Sequence, residues 1–472
     1  MTVPLWRQSA ASLAKAIRDK DVSSHDVIRA HLDRIEDVNP KVNAVTAVLE
    51  EEALRSARLA DERLASGDEV GPLHGVPITI KENIDLVGTA TTHGVVDQKD
   101  SMPEADAPLV AHLKRAGAIP IGRTNLPDFG MRWHTDNDLH GATINPWDPG
   151  RTPGGSSGGE AAAIATGMSP LGVGNDMGGS LRYPAQCCGI AAIKPSLGRV
   201  SRVTSTIWPK PPTYYSQIAC VNGPLARRVE DLRLALDVMS QPDPSDPVWV
   251  PVPRLGGTVP SPVRVAVITN YSGIGTAPAV AAAVLRAAVI LADAGYAVEE
   301  VEPPGLADAD RAIDGIGNSE SLDDLAEMLA MMSDDGARFL KTVVTDAAPT
   351  LAAYKDAIAA RHRILQTWNR FFEHYSLILG PISTLPAFEV GYDIAGPEEG
   401  RRLMRSLLLT ETCNLLGLPS VAVPIHVTGG LPQGVQVIGP RFHEDLCFDA
   451  AEIIERQQGV FTPIEPVEKR LG

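Results

Sequence analysis

Two glycine-serine loops, 24 residues apart from Ser156 to Ser180, constrain this 472-residue chain more than any other feature. The first reads Pro153-Gly-Gly-Ser156-Ser157-Gly-Gly159-Glu160, the second Asp176-Met-Gly-Gly-Ser180-Leu-Arg182-Tyr-Pro184. Glycines flanking a serine open backbone conformations closed to other residues and leave N–H groups bare. Such groups beside a serine nucleophile can hold a developing oxyanion, each donor being worth roughly 3–4 kcal/mol of transition-state stabilisation. The surrounding chain reads as scaffold. A helix is expected over 160–166, directly after the first loop, and a strand over 169–173 leads into the second.

The rest of the chain fits that scaffold. Ser23 caps a helix with Asp26 at its third position, and Ile28, Leu32 and Ile35 repeat at helical spacing until Pro40. A second helix is expected over 46–65, stopping at Gly67, so residues 1–70 form a helical layer. Residues 71–230 hold both loops and, besides the strand 169–173, two short strands, 76–80 ending at Lys81 and 118–121. Beyond residue 262, strands (263–268, 297–301, 377–379, 420–423, 435–438) alternate with helices (279–294, 347–372, 444–456). Alternation of this kind predicts an α/β fold, with one large mixed sheet covered on both faces by helices. The Pro- and Asp-rich stretch 241–262 reads as a surface loop, because strands on both sides belong to that sheet. Residues 1–472 are therefore expected to form a single domain.

Several function classes fall away. Lys and Arg number 42 against 58 Asp and Glu, a formal net charge of −16, which argues against nucleic acid because that binding rests on cationic neutralisation of phosphate. Five cysteines (Cys187, Cys188, Cys220, Cys413, Cys447) form no CxxC pair, so neither a zinc ribbon nor a disulfide framework is expected, and a cytoplasmic setting fits. No apolar run is long enough to span a bilayer, which predicts no membrane partner. Gly172-Val-Gly174 after a strand lacks the remaining glycine and the acid of a dinucleotide site. The eleven histidines include no pair at metal-ligand spacing with a third ligand nearby, so no metal and no cofactor are expected. Gly155-Ser156-Ser157-Gly158-Gly159 matches the GxSxG elbow of α/β-hydrolases. That reading needs a downstream acid and histidine; His426 and His443 have no catalytic setting, and the stretch 145–153 is turn-rich rather than a strand.

The two loops, with Cys188-Gly-Ile-Ala-Ala-Ile-Lys194-Pro195 behind them and Leu73-His-Gly-Val-Pro-Ile-Thr-Ile-Lys81-Glu-Asn83 ahead, resemble the amidase signature family of serine hydrolases. Gly122-Arg-Thr-Asn-Leu-Pro127, Gly223-Pro-Leu-Ala-Arg227, Asn414-Leu-Leu-Gly-Leu-Pro-Ser420 and Gly434-Val-Gln-Val-Ile-Gly-Pro440 extend the likeness over essentially the whole chain. The resemblance implies a Ser-cisSer-Lys triad. Ser180 would be the nucleophile, Ser156 the bridging serine behind a cis peptide, and Lys81 the base. The backbone N–H groups of Met177, Gly178, Gly179 and Ser180 would form the oxyanion hole. Asp176 and Arg182 would brace the loop, with Ser157 a hydrogen-bonding support. A lysine serves as base only if burial lowers its pKa from near 10.4 by ~3–5 units. Alone, Lys81 reads as a surface lysine at a strand end; the two serine loops turn that reading around.

Two positions depart from the family pattern: Asn175 stands where relatives carry Ser or Thr, which would tune Lys81 differently, and Ala191-Ala192 replaces a common glycine. The implied activity is hydrolysis of a small-molecule amide, giving an acid plus ammonia or an amine. The implied alternatives are the glutaminase subunit of a tRNA-dependent transamidase, or an ester-preferring member. The residues after Gly198-Arg-Val-Ser-Arg202 depart from the transamidase branch. Met131, Trp133, Ile207 and Trp208 are read either as walls of an acyl pocket or as core, and a homodimer is allowed for.

Overall fold

The computed structural model describes residues 3–204, 206, 212–253, 255–344 and 350–467, the side chains of 322–324 excepted. Among the described residues eleven strands form one sheet: β1 (Val45–Val48), β2 (Pro77–Lys81), β3 (Ile119–Thr124), β4 (Leu171–Asp176), β5 (Ala191–Lys194), β6 (Val221–Ala226), β7 (Arg264–Val267), β8 (Ala297–Glu300), β9 (Leu377–Pro381), β10 (Ser420–Thr428) and β11 (Leu431–Ile438). Their order across the sheet is β1-β3-β2-β4-β6-β5-β10-β11-β9-β7-β8. β2 runs parallel to both β3 and β4, whereas β4 and β6 are antiparallel. The sheet is therefore mixed, as the alternation predicts.

Period-two alternation assigns the faces. Ile78 and Ile80 of β2, Leu171 and Val173 of β4, Val421 and Val423 of β10, and Val435 and Val437 of β11 share one buried cluster. Helices Pro108–Arg115, Val229–Met239, Pro278–Asp293 and Glu444–Gln458 cover that face. The intervening residues, such as Ala192 and Ala422, belong to a second cluster with helices Ser24–Val42, Gly158–Ala165 and Arg182–Cys188. Thr79 and Lys81 alternate with Ile78 and Ile80, so they face the second layer, where the first serine loop enters its helix.

Several boundaries differ from expectation. Pro40 does not stop its helix, which runs to Val42 and ends at Asn43 in the left-handed conformation (φ 52°). In the last turn, proline forfeits only one intrahelical hydrogen bond. The second helix starts at Glu50, because Thr46 is drawn into β1, paired with β3. It stops at Gly67 as expected, with φ 83°. The first loop's helix is Gly158–Ala165, and β4 runs on to Asp176. Leu306–Met331, a 26-residue helix, has no clear signal in sequence: Gly315, Gly317 and Ser319 interrupt its pattern. The stretch 241–262 contains no helix or strand among its described residues, and Arg199 pins it by donating to the carbonyls of Val252 and Pro253. Among the described residues no helix is long and apolar enough to cross a membrane.

Candidate active site

Lys81 ends β2 and is fully buried. Its Nζ donates to Ser156 Oγ at 2.7 Å and to Asn175 Oδ1 at 2.8 Å. Asn175 Nδ2 in turn donates to Asn83 Oδ1 at 2.9 Å, which fixes its amide with the oxygen toward the lysine. Burial pushes the Lys81 amine down to about 7, while Cys220, Asp176 and Glu160 pull the other way. The departure at Asn175 thus keeps an acceptor on the lysine.

The Gly155–Ser156 peptide is cis. Close approach explains the glycines around it. A Cβ on Gly155 would stand 2.3 Å from the Arg132 carbonyl oxygen, and one on Gly174 2.8 Å from Ser157 Oγ. A Cβ on Gly172 would collide with the Glu160 carboxyl. Glu160 itself is buried, accepts from Thr124 at 2.6 Å and from Thr79, and is pushed up to about 7 by burial. Ser157 corrects an expectation. Its buried hydroxyl has no hydrogen-bond partner among the described residues and lies 2.8 Å from the Cβ position of Gly174. Ser157 is also the serine that a GxSxG elbow would make the nucleophile, and among the described residues no base is hydrogen-bonded to it.

The second loop is wrapped around one carboxylate. Asp176 accepts from the N–H groups of Gly179 at 2.8 Å and Leu181 at 3.1 Å. Arg182 pairs with it through Nε and Nη2, both at 3.0 Å, and both side chains are fully buried. Burial alone would raise the Asp176 pKa, but the Arg182 charge and hydrogen bonds outweigh it and hold it well below the usual carboxylate range. Asn414 donates to Asp176 Oδ1 at 2.9 Å, and Gln436 accepts from Arg182 at 3.0 Å. Gly179 has φ 100°, a conformation that favours glycine. Its N–H is committed to Asp176. The N–H groups of Met177, Gly178 and Ser180 have no protein acceptor among the described residues. Ser180 is 8% exposed, against 2% for Ser156 and none for Lys81.

Of the expected pocket residues, Trp133 donates from Nε1 to the Gly178 carbonyl at 3.0 Å and meets Phe339 edge-on at 5.8 Å. Met131, half-buried, follows Gly130, whose Cβ position lies 3.2 Å from Ser156 Oγ. Ile207 and Trp208 lie outside the described residues. Met177, Tyr214 and Tyr215 pack against the cluster that contains Ile313 and Ile316. Sequence reasoning missed Glu411 altogether. It quoted Asn83, Asn414 and Gln436 within motifs but gave them no role. Glu411, on helix Leu408–Leu416, stands with Oε1 3.4 Å from the Cβ position of Gly178, and the Trp133 ring is 3.8 Å from the same point. Among the described residues no group of three His, Cys, Asp or Glu side chains could hold a metal ion.

Residues 26–448 match the family model Amidase. The chain belongs to the amidase family. It is an amidase, an enzyme that hydrolyses carbon–nitrogen bonds of amides. Indoleacetamide hydrolase of Bradyrhizobium diazoefficiens is 43% identical over 464 residues, 97% of this chain and 88% of that protein. A glutamyl-tRNA(Gln) amidotransferase subunit of Geobacillus stearothermophilus is 34% identical over 483 residues, 96% of this amidase and 97% of the relative. The structure of a bacterial aryl acylamidase of the amidase signature family superposes with a TM-score of 0.81 at 26% identity, covering 96% of this chain and 97% of the other.

Proposed function

We propose that this amidase hydrolyses arylacetamides of the indole-3-acetamide type through an acyl-enzyme on Ser180. The observation that carries the mechanism is the hydrogen bond from the buried Lys81 amine to Ser156 Oγ, with the amine lowered to about 7. A lysine at that value is about half neutral at pH 7 and can accept a proton. Ser180 Oγ attacks the carbonyl carbon while its proton passes through Ser156 Oγ to Lys81 Nζ. The carbonyl oxygen, now negative, is held by the free N–H groups of Met177, Gly178 and Ser180. The proton returns through Ser156 to the leaving nitrogen, the C–N bond breaks, and ammonia departs. Water then attacks the Ser180 ester and gives its proton to Lys81; that proton returns through Ser156 to Ser180 Oγ as the ester bond breaks, and the carboxylic acid is released.

The substrate class rests on the 43% relative and on Trp133 beside Gly178. The transamidase reading has the 34% relative behind it, yet the residues that follow Arg202 depart from that branch. We place the enzyme in the cytoplasm; sedimentation velocity decides between monomer and homodimer. The decisive experiment incubates the purified chain with indole-3-acetamide and with glutamine, and measures ammonia. Indole-3-acetate plus ammonia, lost in Ser180→Ala together with fluorophosphonate labelling, is expected. Ammonia from glutamine alone, or labelling that persists at another serine in Ser180→Ala, would overturn the reading.

A further inference from the structure

The geometry points to Glu411 as a specificity-determining residue, whose carboxyl accepts a hydrogen bond from a ring N–H on the acyl group of the substrate. This inference rests on the arylacetamide reading above and names the group that would recognise the ring. Glu411 is 9% exposed, and its carboxyl has no hydrogen-bond partner among the described residues. Its oxygens are not sealed into the core and keep access to the space in front of them. The Glu411 carboxyl and the Trp133 ring flank one point of the oxyanion loop, the Cβ position of Gly178, 3.4 Å and 3.8 Å away. A carboxyl that lacks a protein partner yet keeps access is open to a donor from a bound molecule. In an arylacetamide a single methylene separates the carbonyl from the ring. The proposal seats the carbonyl oxygen on the loop's N–H groups and the ring beside these two side chains.

The surroundings select for a neutral donor. Asp314 and Asp310, on helix Leu306–Met331, face Glu411, as do Asp176 and Arg182 from the loop. Burial and the two aspartates push Glu411 up to about 8 against the pull of Arg182, which favours the protonated carboxyl, whose carbonyl oxygen accepts. Such a group accepts from an indole N–H without leaving a charge buried. The same acidic neighbours repel a substrate with a second carboxylate, such as succinamate.

The test compares kcat/KM for indole-3-acetamide and benzothiophene-3-acetamide, which has the same ring shape with sulfur in place of N–H. The wild type is expected to favour the indole by about tenfold or more, as sites built to bond a substrate N–H do. Glu411→Leu should bring the ratio to within about twofold of unity, and Glu411→Gln, whose carboxamide oxygen still accepts, should keep most of it. Fluorophosphonate labelling of Ser180 in each variant verifies that the site is folded. A wild-type ratio near unity, or one that Glu411→Leu leaves unaltered, overturns the inference while the arylacetamide reading stands. Should the wild type cleave neither compound yet hydrolyse 4-nitroacetanilide, the substrate reading and the inference both fall.

Discussion

Two lysines end strands of the same sheet, both fully buried and both preceded by isoleucine: Lys81 in β2 and Lys194 in β5. Burial lowers both amines, Lys81 to about 7 and Lys194 to about 8. Their partners differ. Lys81 donates to a serine hydroxyl and a carboxamide, whereas Lys194 donates to the carbonyl of Pro195 at 3.0 Å. A carbonyl oxygen has no proton to pass on, so Lys194 holds the chain where Lys81 can relay. A lowered lysine is therefore no mark of a base by itself; the identity of the atom beside it decides.

Removing each amine in turn tests this contrast most severely. Lys81→Met should reduce amide turnover by about 10²–10⁴-fold, the usual worth of a positioned acid-base group. Its effect on an aryl ester should be smaller, since that leaving group needs less protonation. Lys194→Met should retain turnover to within a few-fold and show its effect in the urea midpoint. Equal losses of kcat in the two variants would end the distinction.

The next effect is on pH dependence. The neutral amine is the working form, so kcat/KM should rise with pH through about 7 and then level off. Asn175→Ala removes an acceptor that favours the charged amine, so the midpoint should move to lower pH. A midpoint that stays in place would mean that Asn175 does not tune the base. The smallest contrast is between adjacent serines. Ser156→Ala should cost most of the activity, and Ser157→Ala little of either activity or stability, because the Ser157 hydroxyl has no bond to lose. EDTA should leave every one of these rates unaltered; inactivation reversed by added metal would point to a metallohydrolase.

Residues that act through their immediate neighbours were legible in the chain itself. The serine loops, Lys81 and the Asp176–Arg182 brace each sit in a short motif, and the mixed sheet follows from the alternation of strands and helices. What could not be read arrives from far along the chain. Asn414 reaches Asp176 from 238 residues away and Gln436 reaches Arg182 from 254, so no local spacing announces either. Glu411 reads as an ordinary residue in a helical run until the helix is seen against Gly178. The resemblance gave Ser157 a supporting hydrogen bond, whereas its hydroxyl has no partner among the described residues and lies beside Gly174. The commitment of the Gly179 N–H to Asp176, which removes one of four expected oxyanion donors, is likewise visible only in three dimensions.

The strand order has a practical corollary. β1 to β6 fill one contiguous block of the sheet and β7 to β11 the other, and the antiparallel β5–β10 pair is the seam between them. The chain crosses from one block to the other through 241–262. A gene cut there would yield two polypeptides with complementary raw edges. The first would carry Lys81, Ser156 and Ser180 yet lack the Asn414 and Gln436 side chains that lock its loop. Mixing the pair should restore an enzyme that neither fragment provides, a built-in reporter for whatever brings the halves together.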